Sequence, residues 1–284
     1  RIALLPKGVD VDILQASMGM PRREADELLQ DLERLSFIKH FKPLPGSERF
    51  HPERTFLHDE LYRLLTSDIV GDRRIEERTV AAALVRSYYN PRIGGIQSQL
   101  PDQSLKQRVP LRERLQKLQV ERLYYMLASN VREGYSEYRQ LSREANRDRW
   151  VGFGMRLLDE FLRFYNDEGR RESFTKAGLT PEQIVRESTE LWCERFYWWK
   201  QRTRGSAFCE KVIDSPADFN IDPSHHAATW GNIHALWALA RAVLHGFEPS
   251  VLSHVQDAIG YLPDLDKSDE AQKMARARLA NAAG

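Results

Sequence analysis

At 284 residues, with hydrophobic residues at 42%, aromatic residues at 10% and charged residues at 29%, the chain has apolar material for two domains and charge for a soluble surface. A formal net charge of +1 gives no general attraction to nucleic acid or to an anionic membrane, and no apolar run approaches the roughly 18 residues a bilayer requires. Two cysteines, Cys193 and Cys209, cannot build a disulfide framework or a metal set, which points to the cytoplasm.

The chain opens at Arg1 without a methionine or a leader, so it reads as a piece of a longer protein. Asp10 is placed to cap a helix carrying Val11, Leu14 and Met18, which Gly19 stops. Pro21 starts a second helix, with Ala25, Leu28, Leu29, Leu32 and Leu35 on one stripe. Phe37 to Lys42 alternates as a strand, Pro43 to Ser47 is a loop, and Arg49 to Phe56 is a second strand that Pro52 assigns to an edge. An amphipathic helix then begins at Leu57-His58-Asp59, with Leu57, Leu61, Leu64 and Leu65 on one side. Asp59 suits the positive end of that helix dipole. His58 sits at the junction, where its imidazole can point away from the helix toward an anion. A histidine in that position also commonly serves structure alone, by bonding nearby backbone groups.

Helix, turn, helix, two-stranded wing, helix is the order of a winged-helix domain, here residues 1–66. Together with Arg1-Ile2-Ala3-Leu4-Leu5-Pro6 and Leu57-His58-Asp59, it resembles the winged-helix domain of STAND and NB-ARC signal-transducing NTPases. The resemblance covers about a quarter of the chain. It implies that His58 contacts the β-phosphate of ADP in the parent protein, with Leu57 and Asp59 supporting the motif. It also implies a partner, the NTPase domain of the same chain, and ADP or ATP with Mg as the parent's cofactors; this portion would hold none itself.

A winged helix can instead read DNA, as a transcriptional regulator whose helical region serves as effector or dimerisation domain. Arg22, Arg23, Lys39 and Lys42 would then be the contacts. The charge count argues against it. Residues 1–66 hold ten bases against eleven acids, and the helix that would enter a major groove carries five acids against three bases.

Residues 67–109 read as a helical linker, with a helix from Arg74 to Tyr89 burying Ile75, Val80, Leu84 and Tyr88. Asn90 to Gly95 then breaks the chain into a long loop. Residues 110–284 read as stacked antiparallel helices, giving a mainly α protein in which the winged helix precedes an irregular, tetratricopeptide-like α-solenoid. Leu111, Leu115, Leu118, Val120, Leu123, Tyr124 and Leu127 form the first stripe. Gly134 marks a turn, and Tyr135, Tyr138 and Leu141 the return helix. The strongest pattern follows, in Trp150, Phe153, Leu157, Leu158, Phe161, Leu162 and Tyr165. Thr180-Pro181-Glu182-Gln183 is a capping box for a helix reaching Thr203. Ala228 to Leu244 and Pro249 to Leu262 are the final pair, with a further polar helix from Asp264. Trp230, Ile233 and Trp237 stand where a tetratricopeptide helix carries its first apolar residues. In STAND proteins such arrays commonly sense a ligand or protein partner.

No catalytic set is legible: there is no glycine-rich phosphate loop, no serine elbow and no supported Cys–His pair. His225, His226, His234 and His245 lack a metal-ligand spacing. Trp192, Phe196 and Trp199 with Trp230 and Trp237 should line a contact between helix pairs or a groove, rimmed by Lys200, Arg202 and Arg204. Core packing is the plainer use of those rings. Tyr197 and Trp198, on the other side of the helix, should be the most accessible.

Overall fold

The structure, a computed structural model, describes residues 2–41, 54–58, 74–246 and 249–261. It is mainly helical, with one two-stranded sheet among the described residues. No helix among them is long and apolar enough to cross a membrane. Two compact units are formed, one of Arg1–Tyr138 with Arg156–Ser173, the other of Arg139–Met155 with Phe174–Gly284.

In the first unit, α1 (Val11–Met18) is capped as its sequence predicts: the Asp10 carboxylate accepts from the Ile13 N–H at 2.7 Å, and Gly19 closes the helix at φ 68°. Its buried face is Ile13, Leu14 and Ser17, rotated from the expected Val11, Leu14 and Met18. The following helix, α2 (Arg22–Glu33), starts one residue past Pro21 and buries Ala25 and Leu32, while Leu35 is exposed. β1 (Ile38–Phe41) and β2 (Arg54–Leu57) pair antiparallel, Ile38 opposite Leu57 and Phe41 opposite Arg54. Val9, just before α1, bridges to Thr55 on the other side of β2. The expected loop at Pro43 to Ser47, Pro52, and the start of the next helix at Asp59, Leu61, Leu64 and Leu65 lie outside the described residues.

α3 (Arg74–Leu84) buries Val80 and Leu84, but Ile75 is 81% exposed. The long loop expected at Asn90 to Gly95 is instead helix. A π-turn at Val85–Tyr89 carries α3 straight into α4 (Asn90–Gln99), with the Asn90 N–H bonded to the Val85 carbonyl. Pro91 is the second residue of α4, and the wider turn before it accommodates its ring and missing N–H. α5 (Leu105–Ser129) starts well before Pro110, and the Gln107 side chain accepts from the Ser104 N–H at 3.2 Å.

α6 (Val131–Arg147) follows after a turn at Asn130, whose side chain accepts from the Glu133 N–H. Gly134 is therefore inside a helix and not at a turn. A Cβ there would stand 2.6 Å from the Leu127 backbone nitrogen, so its absence lets α5 and α6 approach backbone to backbone. In α7 (Val151–Tyr165), Phe153, Leu157 and Phe161 are buried as the stripe predicts; Phe164 continues it, and Leu162 is exposed. A short helix, α8 (Glu168–Lys176), ends at Gly178.

In the second unit α9 (Pro181–Trp198) is capped by Thr180, whose hydroxyl accepts from the Gln183 N–H at 3.2 Å. It stops five residues short of Thr203, and a separate helix, α10 (Arg202–Asp214), begins. α11 (Ala227–His245) and α12 (Pro249–Tyr261) match the final pair the sequence predicts. The core of this unit joins Cys193 of α9, Cys209 and Val212 of α10, Trp230, Ile233, Leu236 and Trp237 of α11, and Val251 and Val255 of α12.

Candidate functional site

The hairpin positions His58. Beyond the Ile38–Leu57 pair, the His58 N–H donates to the Phe37 carbonyl at 2.9 Å, which extends the ladder by one bond. Backbone at this point is thus tied down while the His58 side chain is exposed and Leu57 half-buried. Asp59, the third residue of the motif, lies outside the described residues, as does Lys42. Lys39 is exposed. Arg22 and Arg23 reach Asp12 and Glu27 at 3.1 and 2.9 Å, and Arg34 reaches Asp31, so all three bases of the α2 segment pair with nearby carboxylates.

At the other end of β2 from His58 is a buried polar seam that the sequence did not disclose. Arg54, in β2, is 4% exposed. Its guanidinium donates to the Lys7 carbonyl at 2.7 Å and meets Glu121 of α5 at 2.9 Å. Tyr88, in the π-turn, donates to Asp10 at 3.2 Å, and Tyr89 donates to Glu121 at 3.3 Å. Burial pulls the Arg54 guanidinium toward neutrality, but Glu121, the two tyrosines and Asp10 together hold it above its usual value. Burial, then Asp10, pushes the Tyr88 phenol up to about 12, and burial lifts Tyr89 as well. Arg92 reaches Asp12 at 2.6 Å, Lys7 reaches Glu160 of α7 at 2.5 Å, and Arg170 joins Glu77 at 2.7 Å while donating to the Tyr124 hydroxyl. None of these partners is near in sequence, so no local pattern signals them.

In the second unit the expected aromatic group separates into two. Trp192, Phe196 and Trp199 are half-buried. Trp192 contacts Phe196 at 5.5 Å between centroids, and the Arg195 guanidinium lies over Trp192 at 4.5 Å and Trp199 at 5.1 Å. Arg195 is 1% exposed and donates to the Asn146 side chain of α6 at 3.3 Å. Trp230 and Trp237 are buried in the core cluster instead, with His234 against Trp230 and His254 against Trp237. Phe196 meets Phe208, which packs on that core, at 5.6 Å. Tyr197 and Trp198, expected on the outside, are half-buried; Tyr197 packs on the core because α10 turns back against α9. Lys200 and Arg204 are exposed and Arg202 is half-buried.

A row of charges joins α6 to α9: Arg139 meets Glu187 at 3.1 Å, and Arg143 meets Glu190 at 3.4 Å. The Asn232 amide donates to Glu190 at 2.8 Å. Burial, and then the neighbouring Glu194, raises the Glu190 carboxyl above its ordinary range.

The four histidines of the conceivable metal set do not gather. His225 bonds Asp222 at 2.7 Å, and His226 accepts from the Asp222 N–H at the start of α11, whereas His245 is at its far end. At 1.5 Å per residue that separation is about 27 Å. Hydrogen bonds from Ser224 and His225 hold Asp222 below its usual range. Among the described residues no group of three His, Cys, Asp or Glu could hold a metal ion. Comparisons of the chain with protein families, with curated proteins and with solved structures find no match in any of the three.

Proposed function

We propose that this chain is the regulatory and sensor portion of a cytoplasmic STAND-type nucleotide switch, in which residues 1–66 form a winged helix docking on an NTPase domain and the helical array senses a ligand or partner. The observation that carries the reading is His58: an exposed imidazole at the end of β2, on backbone held by the Phe37 carbonyl. Among the described residues its ring has no hydrogen-bond partner to give up before reaching a phosphate on a neighbouring domain. Two features support it. The order α1, α2, β1, β2, with Val9 bridged to β2, suits a winged helix. The side-by-side run of α6 and α9, from Arg139–Glu187 to Asn146–Arg195, suits stacked helical repeats. The carboxylate pairing of Arg22, Arg23 and Arg34 weighs against the DNA-binding alternative, since those bases would have to exchange partners to meet phosphate.

The test uses the full-length parent protein. A charge-assisted phosphate contact contributes about 1.5–3 kcal/mol, so His58→Ala should speed ADP release roughly ten- to a hundredfold. The same substitution in the present chain should leave its melting temperature unchanged, because the side chain is exposed. An ADP release rate equal to the parent's overturns the role of His58.

A further inference from the structure

α6 and α9 end in the same way, and neither ending uses the residue that such an ending favours. At the end of α9 the Lys200 N–H bonds the Tyr197 carbonyl, the Gln201 N–H bonds the Phe196 carbonyl, and Lys200 sits at φ 59°. At the end of α6 the Arg149 N–H bonds the Asn146 carbonyl, the Trp150 N–H bonds the Ala145 carbonyl, and Arg149 also sits at φ 59°. Both are Schellman closures, whose left-handed position normally takes glycine because a side chain is strained there. α8 closes by the same two bonds, Gly178 to Thr175 and Leu179 to Phe174, and there the residue is glycine, at φ 76°. The chain thus spends conformational strain at two helix ends to carry a base.

These two ends lie along one edge of the second unit. α6 and α9 run parallel, as the sequence of contacts Arg139–Glu187, Asn146–Leu191 and Asn146–Arg195 requires. Trp199, beside Lys200, comes within 3.2 Å of where a Cβ on Gly154 would stand, just past Arg149. Arg204, in the first turn of α10, and the half-buried Arg202 extend the edge. Arg147 carries its own carboxylate, Asp148, at 3.2 Å. Among the described residues, Arg149, Lys200, Arg202 and Arg204 make no ion pair. Arg202 instead lies 6.0 Å from the centre of the Tyr197 ring, which in turn meets Trp198 at 5.2 Å.

The geometry points to a docking edge for an acidic, extended peptide segment, held by Arg149, Lys200 and Arg204 beside the half-buried Tyr197 and Trp198. The proposal rests on reading the helical array as a sensor, and it names the chemistry of what is sensed. Arginine beside aromatic rings is the composition of protein-recognition hot spots. The row is short and the chain's net charge is only +1, so a few carboxylates match it where a long polyanion would meet repelling acids elsewhere. A plain alternative is that Arg149 and Lys200 serve only the negative ends of the two helix dipoles.

The experiment separates them with the present chain and a fluorescein-labelled twelve-residue peptide of alternating Glu and Gly, followed by anisotropy at low ionic strength. Saturable binding that weakens with salt is expected. Arg149→Gly with Lys200→Gly should lower the affinity at least tenfold while the melting temperature stays level or rises, because glycine relieves both left-handed positions. Arg204→Gln, which takes part in neither closure, should lower affinity about threefold without a change in melting, by loss of one screened charge contact. Arg147→Gln should leave binding unchanged. No binding of the peptide, equal binding by the double glycine variant, or tighter binding of a DNA duplex or of anionic vesicles than of the peptide overturns the proposal. A fall in melting temperature with binding intact assigns the bases to the helix dipoles and overturns it too. Since His58 is untouched, each of these results leaves the nucleotide-switch reading to its own ADP measurement.

Discussion

The two units of this protein bury polar groups by different means. In the first, the interior charges are paired across long stretches of chain: Arg54 with Glu121, Lys7 with Glu160, Arg170 with Glu77. In the second, the interior is apolar and aromatic around Trp230, Ile233 and Trp237, and its most buried arginine, Arg195, is stacked on two indole rings. The ion pairs between α6 and α9 sit nearer the surface, with Arg143 41% exposed. The difference matters because a buried ion pair adds little net stability yet penalises every arrangement that separates its members. The helix–hairpin segment ending at His58 is therefore held in register on α3 to α5 by matched charges. The second unit is held by the packing of its apolar core.

That contrast is open to direct attack. The largest effect is expected from Arg54→Met, which leaves Glu121 buried without its cation and should cost about 3–5 kcal/mol in chemical denaturation. Adding Glu121→Leu should recover most of that loss; a double variant as unstable as the single one would show that the seam is not an ion-pair lock. Because all six tryptophans lie in Arg139–Met155 and Phe174–Gly284, their fluorescence reports the second unit, while hydrogen exchange at β2 and α5 reports the first. Arg54→Met should raise exchange in β2 and α5 far more than it shifts the tryptophan signal.

Next in size are two close approaches, one per unit. Gly134→Ala would press a methyl against Leu127 backbone at 2.6 Å, and Gly205→Ala would press one against the Phe196 Cβ at 2.9 Å. Each should cost about 1–3 kcal/mol by overpacking, read as a lower denaturation midpoint. A neutral Gly134→Ala would mean that α5 and α6 separate easily.

The smallest effect is a pH dependence in the second unit. Glu190 has its carboxyl raised in the folded state, by burial and then by Glu194, above the unfolded value of about 4.3. The folded state therefore binds that proton more tightly than the unfolded state. Stability from this group falls as pH rises from about 4 through the folded value. Glu190→Gln keeps an acceptor for Asn232 and should flatten stability over that window. A parent and variant with parallel pH profiles would remove Glu190 from the account.

Helix ends were the most legible part of the chain. Asp10 and Gly19 bound α1, and Thr180 caps α9, because a cap depends on a side chain and backbone groups within a few residues. The stripes of α6 and α7 were nearly as clear, through Tyr135, Tyr138, Leu141, Phe153, Leu157 and Phe161. Proline and glycine are poorer guides: Pro91, in the expected break, lies within a helix, and Gly134 lies at a contact and not at a turn. Those residues restrict or free the backbone locally, but whether a helix continues past them depends on what it packs against.

Periodicity and capping, which act over one or two turns, were enough to establish a mainly helical chain and most of its elements. The burial of Arg54 between Glu121 and the tyrosines was beyond their reach, as was the division of the aromatic residues between a stacked arginine and the α11 core. So was the alignment of Arg149 with Lys200 on one edge. Each of these joins side chains tens of residues apart, and the energy that selects them arises only once water is excluded between packed elements.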